Sequence, residues 1–342
     1  MRPRKSWKSC VPGEPDPASL ETAKAIRAGD RRVLARAITR LESTRDEDRA
    51  IGQAVLETMI ADSGDAIRVG ITGPPGVGKS TLIEALGLHL IELGRRVAVL
   101  AVDPSSPVTG GSILGDKTRM DRLAVRAEAF IRPSPSGGSL GGVADRTREV
   151  MLLCEAAGYD VVLIETVGIG QSEVEVASMV DFFLVMLLPA GGDELQGIKK
   201  GVVELADVLV VNKADGPMKN IAERTRADYG GALELIRSGH DSWQPRAMTL
   251  SALEGIGIEE IWRIVEAHHR LMQTNGQFEE RRRQQSRAWL WKLLEDGFRR
   301  AFREEPGMRE AIQREEEAVA AQKTSPAAAA RMLLQRFGSS GR

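Results

Sequence analysis

The sequence predicts an α/β protein in which a mostly parallel β-sheet is flanked by helices, with helical extensions at both ends of the chain. Between residues 67 and 269, short runs of β-branched and other apolar residues alternate with helical stretches. Near-continuous apolar runs of this kind are typical of parallel strands that are buried on both faces. The predicted strands are IRVGIT, RVAVLAV, VVLIET, FFLVMLL and DVLVVN.

We predict three segments along the chain: an N-terminal tail and helical lead-in over residues 1–66, the α/β domain over 67–270, and a C-terminal helical arm over 271–342. In the lead-in, Leu34, Ile38 and Leu41 share one helix face. In the arm, a stripe of apolar residues at helical spacing consists of Leu290, Leu294, Phe298 and Phe302. Such a stripe packs either onto its own domain or onto a second copy, and we hypothesise that the arm forms a homodimer.

Composition and charge exclude several classes of protein. The chain has 342 residues, of which 47 are basic and 48 acidic, which gives a net charge of -1. This composition lacks the excess of basic residues that is typical of nucleic-acid-binding proteins, so we expect no nucleic-acid partner. Cys10 and Cys154 are too few and too far apart for a disulfide framework. The sequence contains no run of about 18 uncharged apolar residues, so it predicts no transmembrane helix, and we expect no membrane partner.

The first residues, MRPRKSWKSCVPGEPDP, are basic but lack the apolar core of a secretory signal. We interpret them as a loose tail and expect a cytoplasmic protein. A mitochondrial presequence is the alternative, although no extended arginine-rich amphipathic helix follows directly.

The strongest motif is GPPGVGKST, which fits the phosphate-binding pattern G-x-x-x-x-G-K-[ST] and lies between a predicted strand and a predicted helix. Lys79 can reach the β and γ phosphates, and Ser80 can bind Mg²⁺. The alternative is an ordinary glycine turn. The predicted nucleotide-binding residues of this loop are Gly73, Pro74, Pro75, Gly76, Val77, Gly78, Lys79, Ser80 and Thr81.

Two carboxylates are predicted at the carboxyl edge of the sheet, where open α/β folds bind ligands. Asp103 follows the run RVAVLAV, and Glu165 follows VVLI. Mg²⁺ prefers oxygen ligands, so both residues are candidates for its shell. The alternative is that each side chain caps a strand or the next helix.

A second strand-end motif, NKAD, predicts a guanine site. It supplies Asn212, Lys213 and Asp215, and the two oxygens of an aspartate can accept hydrogen bonds from guanine N1–H and the N2 amine. Adenine has no donors in that arrangement, so it would leave a carboxylate unpaired. The later loop TLSALEG offers backbone amides to guanine O6 through Ser251, Ala252 and Leu253.

The order of these motifs, together with VDPSSPVTGGSILGDKTRM, ETVGIGQSE and PAGGDELQGIKKG, resembles the MeaB/ArgK family of methylmalonyl-CoA mutase-associated GTPases. The resemblance covers almost the whole chain. It implies a homodimeric P-loop GTPase, bound to GTP or GDP and Mg²⁺, that escorts an adenosylcobalamin-dependent acyl-CoA mutase, gates loading of the cofactor and protects or reactivates the enzyme.

The resemblance also implies roles for further residues. Asp116 in LGDKTRM would belong to a first switch near the metal or the attacking water. Asp193, Gln196 and Lys199 in GGDELQGIKKG would couple the GTPase to its mutase. The alternative for this second loop is a glycine-hinged surface turn.

The stretch ETVGIGQSE departs from the usual Asp-x-x-Gly-Gln hydrolysis switch, because Glu165 opens it and Ile169 follows Gly168. Gln171 lies two residues beyond the usual water-positioning glutamine. We therefore predict slow intrinsic hydrolysis that a partner accelerates by ordering the switches, with Arg119 as a candidate for stabilising charge in the transition state.

Two other functions compete with this interpretation. A metal-delivery GTPase of the HypB/UreG type would normally need a cluster of thiols or imidazoles, and the four histidines show no such pattern. Their positions are His89, His240, His268 and His269. The older ArgK name suggests a transport-associated ATPase or kinase, which the guanine motif disfavours.

Overall fold

The computed structural model describes residues 16–102, 120–133, 140–166, 172–189, 200–236 and 242–340, and it confirms the α/β fold. The strands of the described residues are β1 (Ile67–Thr72), β2 (Val97–Val102), β3 (Ala129–Pro133), β4 (Val161–Thr166), β5 (Phe182–Leu187), β6 (Val208–Val211) and β7 (Arg246–Thr249). They form one sheet in the order β3-β2-β4-β1-β5-β6-β7, and every neighbouring pair is parallel.

Helices surround this sheet and form both ends of the described chain. They are α1 (Pro17–Arg27), α2 (Arg31–Leu41), α3 (Asp46–Met59), α4 (Lys79–Glu92), α5 (Asp121–Ala124), α6 (Leu140–Ala156), α7 (Ser172–Ala177), α8 (Lys200–Leu205), α9 (Lys219–Ile236), α10 (Ile258–Thr274), α11 (Gln277–Glu304), α12 (Met308–Ala320) and α13 (Pro326–Ser340). In the ranges given above, none of them has the length and apolar character needed to cross a membrane.

The five predicted strands are confirmed as β1, β2, β4, β5 and β6, and the structure adds β3 and β7 at the two edges of the sheet. An edge strand is hydrogen-bonded on one side only and is less completely covered. Accordingly β3 contains Arg132 and Pro133, and β7 begins with the exposed Arg246. Neither strand therefore shows the continuous apolar run by which the central strands were predicted.

Four of the central strands, β2, β4, β5 and β6, contribute to two apolar clusters, one on each face of the sheet, whereas β1 contributes Val69 and Ile71 to one cluster only. In β2, Val97 and Val99 belong to the cluster beneath α4 and α10, whereas Ala98 and Leu100 belong to the cluster beneath α6 and the N-terminal helices. Because side chains alternate between the faces of a strand, a strand covered on both sides needs apolar residues at every position. This requirement explains the uninterrupted runs in the sequence.

The predicted helical lead-in consists of α1, α2 and α3, and its apolar face is buried. Leu34, Ile38 and Leu41 belong to the cluster that also contains residues of α6. Asp30 caps α2 by accepting hydrogen bonds from two backbone N–H groups of the first turn, the usual device at a helix start. Glu42 forms an ion pair with Arg132 of β3, although burial still raises the pKa of the Glu42 carboxyl.

The chain divides into two compact units, Met1–Glu280 and Arg281–Arg342. In the second unit α12 packs against α13, and the rings of Phe302 and Phe337 lie 5.4 Å apart. The other residues of the predicted stripe, Leu290, Leu294 and Phe298, are exposed on α11. The segment boundaries and the dimerising role expected of this arm stay predictions.

A buried ion pair at the start of β1 leads to a stability prediction. Arg68 forms two hydrogen bonds with Glu155 of α6, whose Oε2 also accepts a hydrogen bond from Gly64 N at 2.9 Å. Replacing Glu155 with glutamine removes the carboxylate that is hydrogen-bonded to the buried guanidinium, so we expect a loss of about 3 kcal/mol in the free energy of unfolding. Urea denaturation followed by circular dichroism measures this loss.

The matched control is the exposed ion pair between Arg27 and Asp62, whose side chains are 42% and 41% exposed. Asp62→Asn should cost less than about 1 kcal/mol, because water screens exposed pairs and hydrates each partner alone. Equal losses for the two variants would contradict the expectation that the buried ion pair contributes more to stability than the exposed one.

Candidate nucleotide-binding site

The glycine-rich loop predicted to bind phosphate joins the end of β1 to the start of α4. Gly78 directly precedes α4 with a φ of 98°, in the left-handed region that favours glycine. A Cβ atom at this position would lie 2.5 Å from Nδ2 of Asn212. The loop therefore needs glycine here for conformation and for space, and it presents the N-terminus of α4, a favourable place for an anion, at the carboxyl edge of the sheet.

Lys79, at the first position of α4, is buried. Its ammonium group donates hydrogen bonds to the carbonyl oxygens of Gly73 at 2.8 Å and of Pro74 at 3.2 Å. A buried ammonium needs such partners to offset its lost hydration. These contacts hold a positive charge within the loop, which is where the predicted phosphate contact requires it.

The other residues of the loop differ in exposure. Val77 is fully buried in the cluster beneath α4. In contrast, Pro75, Gly76 and Thr81 are exposed. The loop is thus anchored in the core through one side chain while its outer turn is open to a ligand.

Two of the predicted metal ligands are in contact with each other. The hydroxyl group of Ser80 donates a hydrogen bond to Oε1 of Glu165 at 3.1 Å. Glu165 lies in β4 beside Ile71 of β1 and Ala101 of β2, so the sheet itself fixes its position next to the loop. Hydroxyl and carboxylate oxygens are the ligands that Mg²⁺ prefers, so this pair fits that ion.

A threonine pair beneath this site was not predicted. Thr166, the last residue of β4, donates a hydrogen bond through Oγ1 to Oγ1 of Thr72 at 2.7 Å, and both residues are buried. Each threonine ends the strand that leads into a nucleotide motif, and that shared position is the only signal of the pair in the sequence. The contact ties the strand carrying the phosphate loop to the strand carrying Glu165.

Asn212, which follows β6, joins the phosphate loop to the predicted base-binding loop. Its Nδ2 donates a hydrogen bond to the carbonyl oxygen of Val77 at 2.7 Å, and its Oδ1 accepts one from Ala252 N at 3.0 Å. The side chain is buried, so both bonds form away from water. Asn212 therefore positions two loops that are far apart in the sequence.

The carboxylate of Asp215 is held by a neighbouring loop. The hydroxyl group of Ser251 donates a hydrogen bond to Oδ2 of Asp215, and Ser251 Oγ accepts one from Glu254 N at 3.2 Å. Asp215 is half-buried and Ser251 is fully buried. The arrangement fixes an acceptor-only side chain beside the phosphate loop, as a guanine site requires.

The remaining residues of the two base-binding motifs lie close by. Lys213 has a φ of 60°, and the following backbone N–H of Ala214 donates to the carbonyl oxygen of Leu250 at 3.0 Å. Ala252 is buried, whereas Leu253 is 83% exposed. The structure thus brings the backbones of the two motifs together and leaves the Leu253 side chain at the surface.

Some predicted residues lie outside the described ranges. They are Asp103, Asp116, Arg119, Gln171, Asp193, Gln196 and Lys199. The structure does place the end of β2 beside the end of β4, because Val102 pairs with Thr166. Asp103 directly follows Val102 in the chain, and its role as a metal ligand stays a prediction.

The adjacent histidines considered for metal delivery have different neighbours. His268 packs at 5.1 Å from the Phe182 ring and 5.0 Å from the Trp243 ring in the core. His269 contacts the ring of Phe278 at 4.8 Å. The two imidazoles therefore lie in different surroundings, as expected for consecutive residues of a helix.

Comparison with known proteins gives consistent matches along the chain. The family model described as "Methylmalonyl Co-A mutase-associated GTPase MeaB" matches residues 34–306. A Mycobacterium tuberculosis protein described as a probable GTPase is 54% identical over 313 residues, which cover 92% of this chain and 93% of that protein. The Escherichia coli protein "GTPase ArgK" is 51% identical over 276 residues, which cover 81% and 83% of the two chains.

A mammalian protein and a solved structure are also similar. The Mus musculus protein "Methylmalonic aciduria type A homolog, mitochondrial" is 46% identical over 321 residues, which cover 91% of this chain and 77% of that protein. A crystal structure described as "LAO/AO transport system kinase" superposes with a TM-score of 0.76 at 39% identity, covering 94% of this chain and 99% of that chain.

Proposed function

The chain belongs to the MeaB family of methylmalonyl-CoA mutase-associated GTPases, and on that premise we propose that it hydrolyses GTP as the chaperone of an adenosylcobalamin-dependent acyl-CoA mutase. The observation that carries the nucleotide assignment is the pair of hydrogen bonds by which Asn212 joins Val77 to Ala252. These bonds join the phosphate loop to the base-binding loop, and Ser251 of the second loop is hydrogen-bonded to Asp215, which supports the proposal that both loops bind one nucleotide.

Different residues of the site bind the phosphates, the base and the metal ion of the nucleotide. The amides of the phosphate loop and the ammonium group of Lys79 bind the phosphates, and Asp215 accepts hydrogen bonds from the guanine base. Ser80 and Glu165 would hold Mg²⁺, with Asp103 and Asp116 as further predicted ligands. The ion supplies positive charge that offsets the charge developing on the transferred phosphoryl group.

We predict that the isolated protein hydrolyses GTP slowly and that the partner mutase accelerates the reaction. No glutamine directly follows Gly168 to hold the attacking water, and Gln171 lies two residues beyond that position. Contacts that complete a GTPase site can raise the rate by about 10³ to 10⁵. Phosphate release should be measured under single-turnover conditions with and without a methylmalonyl-CoA mutase.

Three variants separate the parts of this proposal. Gln171→Ala and Arg119→Ala should remove most of the stimulation, whereas Lys199→Ala, in the predicted coupling loop with Asp193 and Gln196, should weaken co-migration with the mutase. Rapid turnover by the isolated protein, unchanged by the mutase and by Gln171→Ala, would contradict the proposal. Failure of the two proteins to co-migrate in every nucleotide state would exclude the chaperone role.

We further propose that the C-terminal arm dimerises through α11. Trp291 and Phe298 are 65% and 66% exposed within the single chain, and large exposed apolar side chains are costly in water unless a partner covers them. Replacing both with glutamate should give a monomer by light scattering, whereas the same change at Ser286 and Arg300, which are exposed on the opposite face of α11, should not. An unchanged mass for the Trp291/Phe298 variant would refute the interface.

Two alternatives predict different ligands. A transport-associated kinase or ATPase, as the description of the similar crystal structure suggests for that protein, should bind ATP at least as well as GTP. A metal-delivery GTPase should bind nickel in the nucleotide-free state. Equilibrium titration with GTP, ATP and Ni²⁺ separates the three, and our proposal requires preference for GTP without a nickel site. A cytoplasmic location is also proposed, on the sequence alone, and cell fractionation tests it.

A further inference from the structure

A cavity of about 530 Å³ lies at the opposite edge of the sheet from the nucleotide site. Ile67, the first residue of β1, lines this cavity, whereas Thr72, the last residue of β1, adjoins the phosphate loop. Five residue steps along a strand span about 16 Å. The cavity is therefore separate from the site described above, and its volume lies within the range of small-molecule sites, about 300 to 1,000 Å³.

One face of α10 forms a wall of the cavity through Trp262, Glu266, His269 and Arg270. These positions follow the spacing of a single helix face. The opposite wall consists of the segments that lead into β1, β2 and β4. Both walls belong to the first compact unit.

Several charged groups in the lining already have partners. Glu155 is paired with Arg68, and Asp62 is paired with Arg27. Asp160 accepts a hydrogen bond from the backbone N–H of Arg96 at 2.7 Å. Asp62 and Glu155 are thus neutralised by arginine side chains within the fold, whereas Asp160 has a hydrogen-bond donor but no cationic partner.

Four other charged side chains in the lining do not form such contacts. Within the described ranges, Arg95, Arg270, Asp65 and Glu266 make no side-chain hydrogen bond or ion pair. Two are cationic and two are anionic, and Asp160 adds a carboxylate that forms no ion pair, so the lining offers partners for both signs of charge. A ligand with one sign alone would meet repelling groups as well as attracting ones.

The indole of Trp262 adds a buried donor. Trp262 is 2% exposed, and its Nε1–H has no hydrogen-bond partner among the described residues. An indole nitrogen can only donate, so it requires an acceptor. Buried polar groups in folded proteins nearly always have a partner, so an acceptor bound in the cavity would satisfy this donor.

From these observations we propose that the cavity binds a small zwitterion that carries a carboxylate and an ammonium group, the chemistry of a free amino acid. The carboxylate accepts hydrogen bonds from the Trp262 indole and the Arg270 guanidinium, with Arg95 at the rim. The ammonium group lies against Glu266 and Asp65. Each of the five groups then has a partner of complementary character, which no simple anion or cation provides.

The test is a thermal-shift and calorimetric screen of the full-length protein against the free amino acids, each supplied alone. Acetate and methylammonium serve as probes of the separate charges. At least one amino acid should raise the melting temperature and give a measurable Kd, while neither single-charge probe does so at the same concentration. No shift with any amino acid, or an equal shift with acetate or methylammonium, would overturn the proposal.

Substitutions on α10 locate the site. Arg270→Gln and Glu266→Gln should each weaken the amino acid by about tenfold, the effect of losing one charge-assisted hydrogen bond, and Trp262→Phe should do the same. Arg263→Gln is the matched control, because Arg263 lies on the same helix, is 65% exposed and pairs with Glu259. Since Arg270 is exposed, its replacement should leave the fold intact even if Trp262→Phe destabilises it.

The affinities of these variants for the amino acid can either support or contradict the cavity as its binding site. Weakening by Arg270→Gln and Glu266→Gln, with Arg263→Gln unchanged, supports the site. Equal affinity in all variants places any bound amino acid elsewhere and overturns the assignment. Guanine-nucleotide affinity, measured in parallel, should stay the same in every variant, which separates this cavity from the proposed GTPase site.

Discussion

Replacing Asp215 with asparagine is expected to change the preferred nucleotide from GTP to XTP. Guanine presents two donors, N1–H and the N2 amine, to a carboxylate that can only accept. Xanthine keeps N1–H but has a carbonyl oxygen in place of the amine, so it matches an amide that accepts through oxygen and donates through nitrogen. A site built on such hydrogen bonds can discriminate by about 10⁴, because the wrong base leaves buried groups unpaired.

Competition titrations against a fluorescent guanine nucleotide measure the change. Asp228→Asn, at an exposed position of α9, is the matched control and should leave the preference for GTP intact. Ser251→Ala should weaken GTP by about tenfold without creating affinity for XTP, because it removes only the hydroxyl that orients Asp215. An Asp215→Asn protein that still prefers GTP would show that another residue selects the base.

The second large effect is expected from Gly78→Ala. A Cβ atom at Gly78 would lie 2.5 Å from Nδ2 of Asn212, and alanine would also be strained at a φ of 98°. Strain and overpacking together should lower the free energy of unfolding by about 2 to 4 kcal/mol. Displacing Asn212 would also break its bonds to Val77 and Ala252, so affinity for the phosphates and for the base should fall together.

Gly76→Ala provides the comparison in the same loop. Gly76 has a φ of 76°, yet a Cβ atom there would have no neighbour within 4 Å. Only the backbone strain remains, and we expect a loss of about 1 kcal/mol in nucleotide-free protein. Denaturation curves of the two variants without nucleotide make this comparison directly. Equal losses would mean that the contact with Asn212 is not what requires glycine at position 78.

The sequence predicted those elements whose local pattern is sufficient to define them. The β2, β4, β5 and β6 strands were predicted because full burial demands apolar residues on both faces, and β1 was predicted although only one of its faces is apolar. The edge strands β3 and β7 were missed, since a strand with one partner tolerates residues such as Arg132 and Arg246. Their places are set by pairing with distant segments, which a local pattern does not encode.

The candidate site shows the same division. The motif residues were found because phosphate, metal and base each require particular chemical groups at fixed spacing. What the motifs could not reveal is how they contact one another. The bonds of Asn212 to Val77 and Ala252 join residues 135 and 40 positions apart, and the Thr72–Thr166 pair joins residues 94 positions apart. Such contacts depend on the order of strands in the sheet.

The hydrogen bond between Ser80 and Glu165 should keep the reorganisation energy of metal binding small, because it already holds two predicted ligand atoms close together. Two neighbouring ligands of an octahedral Mg²⁺ ion, each at about 2.1 Å from the metal, are separated by about 3.0 Å. Oγ of Ser80 and Oε1 of Glu165 are already 3.1 Å apart. If the pair held the ion, the Ser80 hydroxyl would keep its proton and turn it away from Glu165, and both oxygen atoms could stay where the helix and the sheet have placed them.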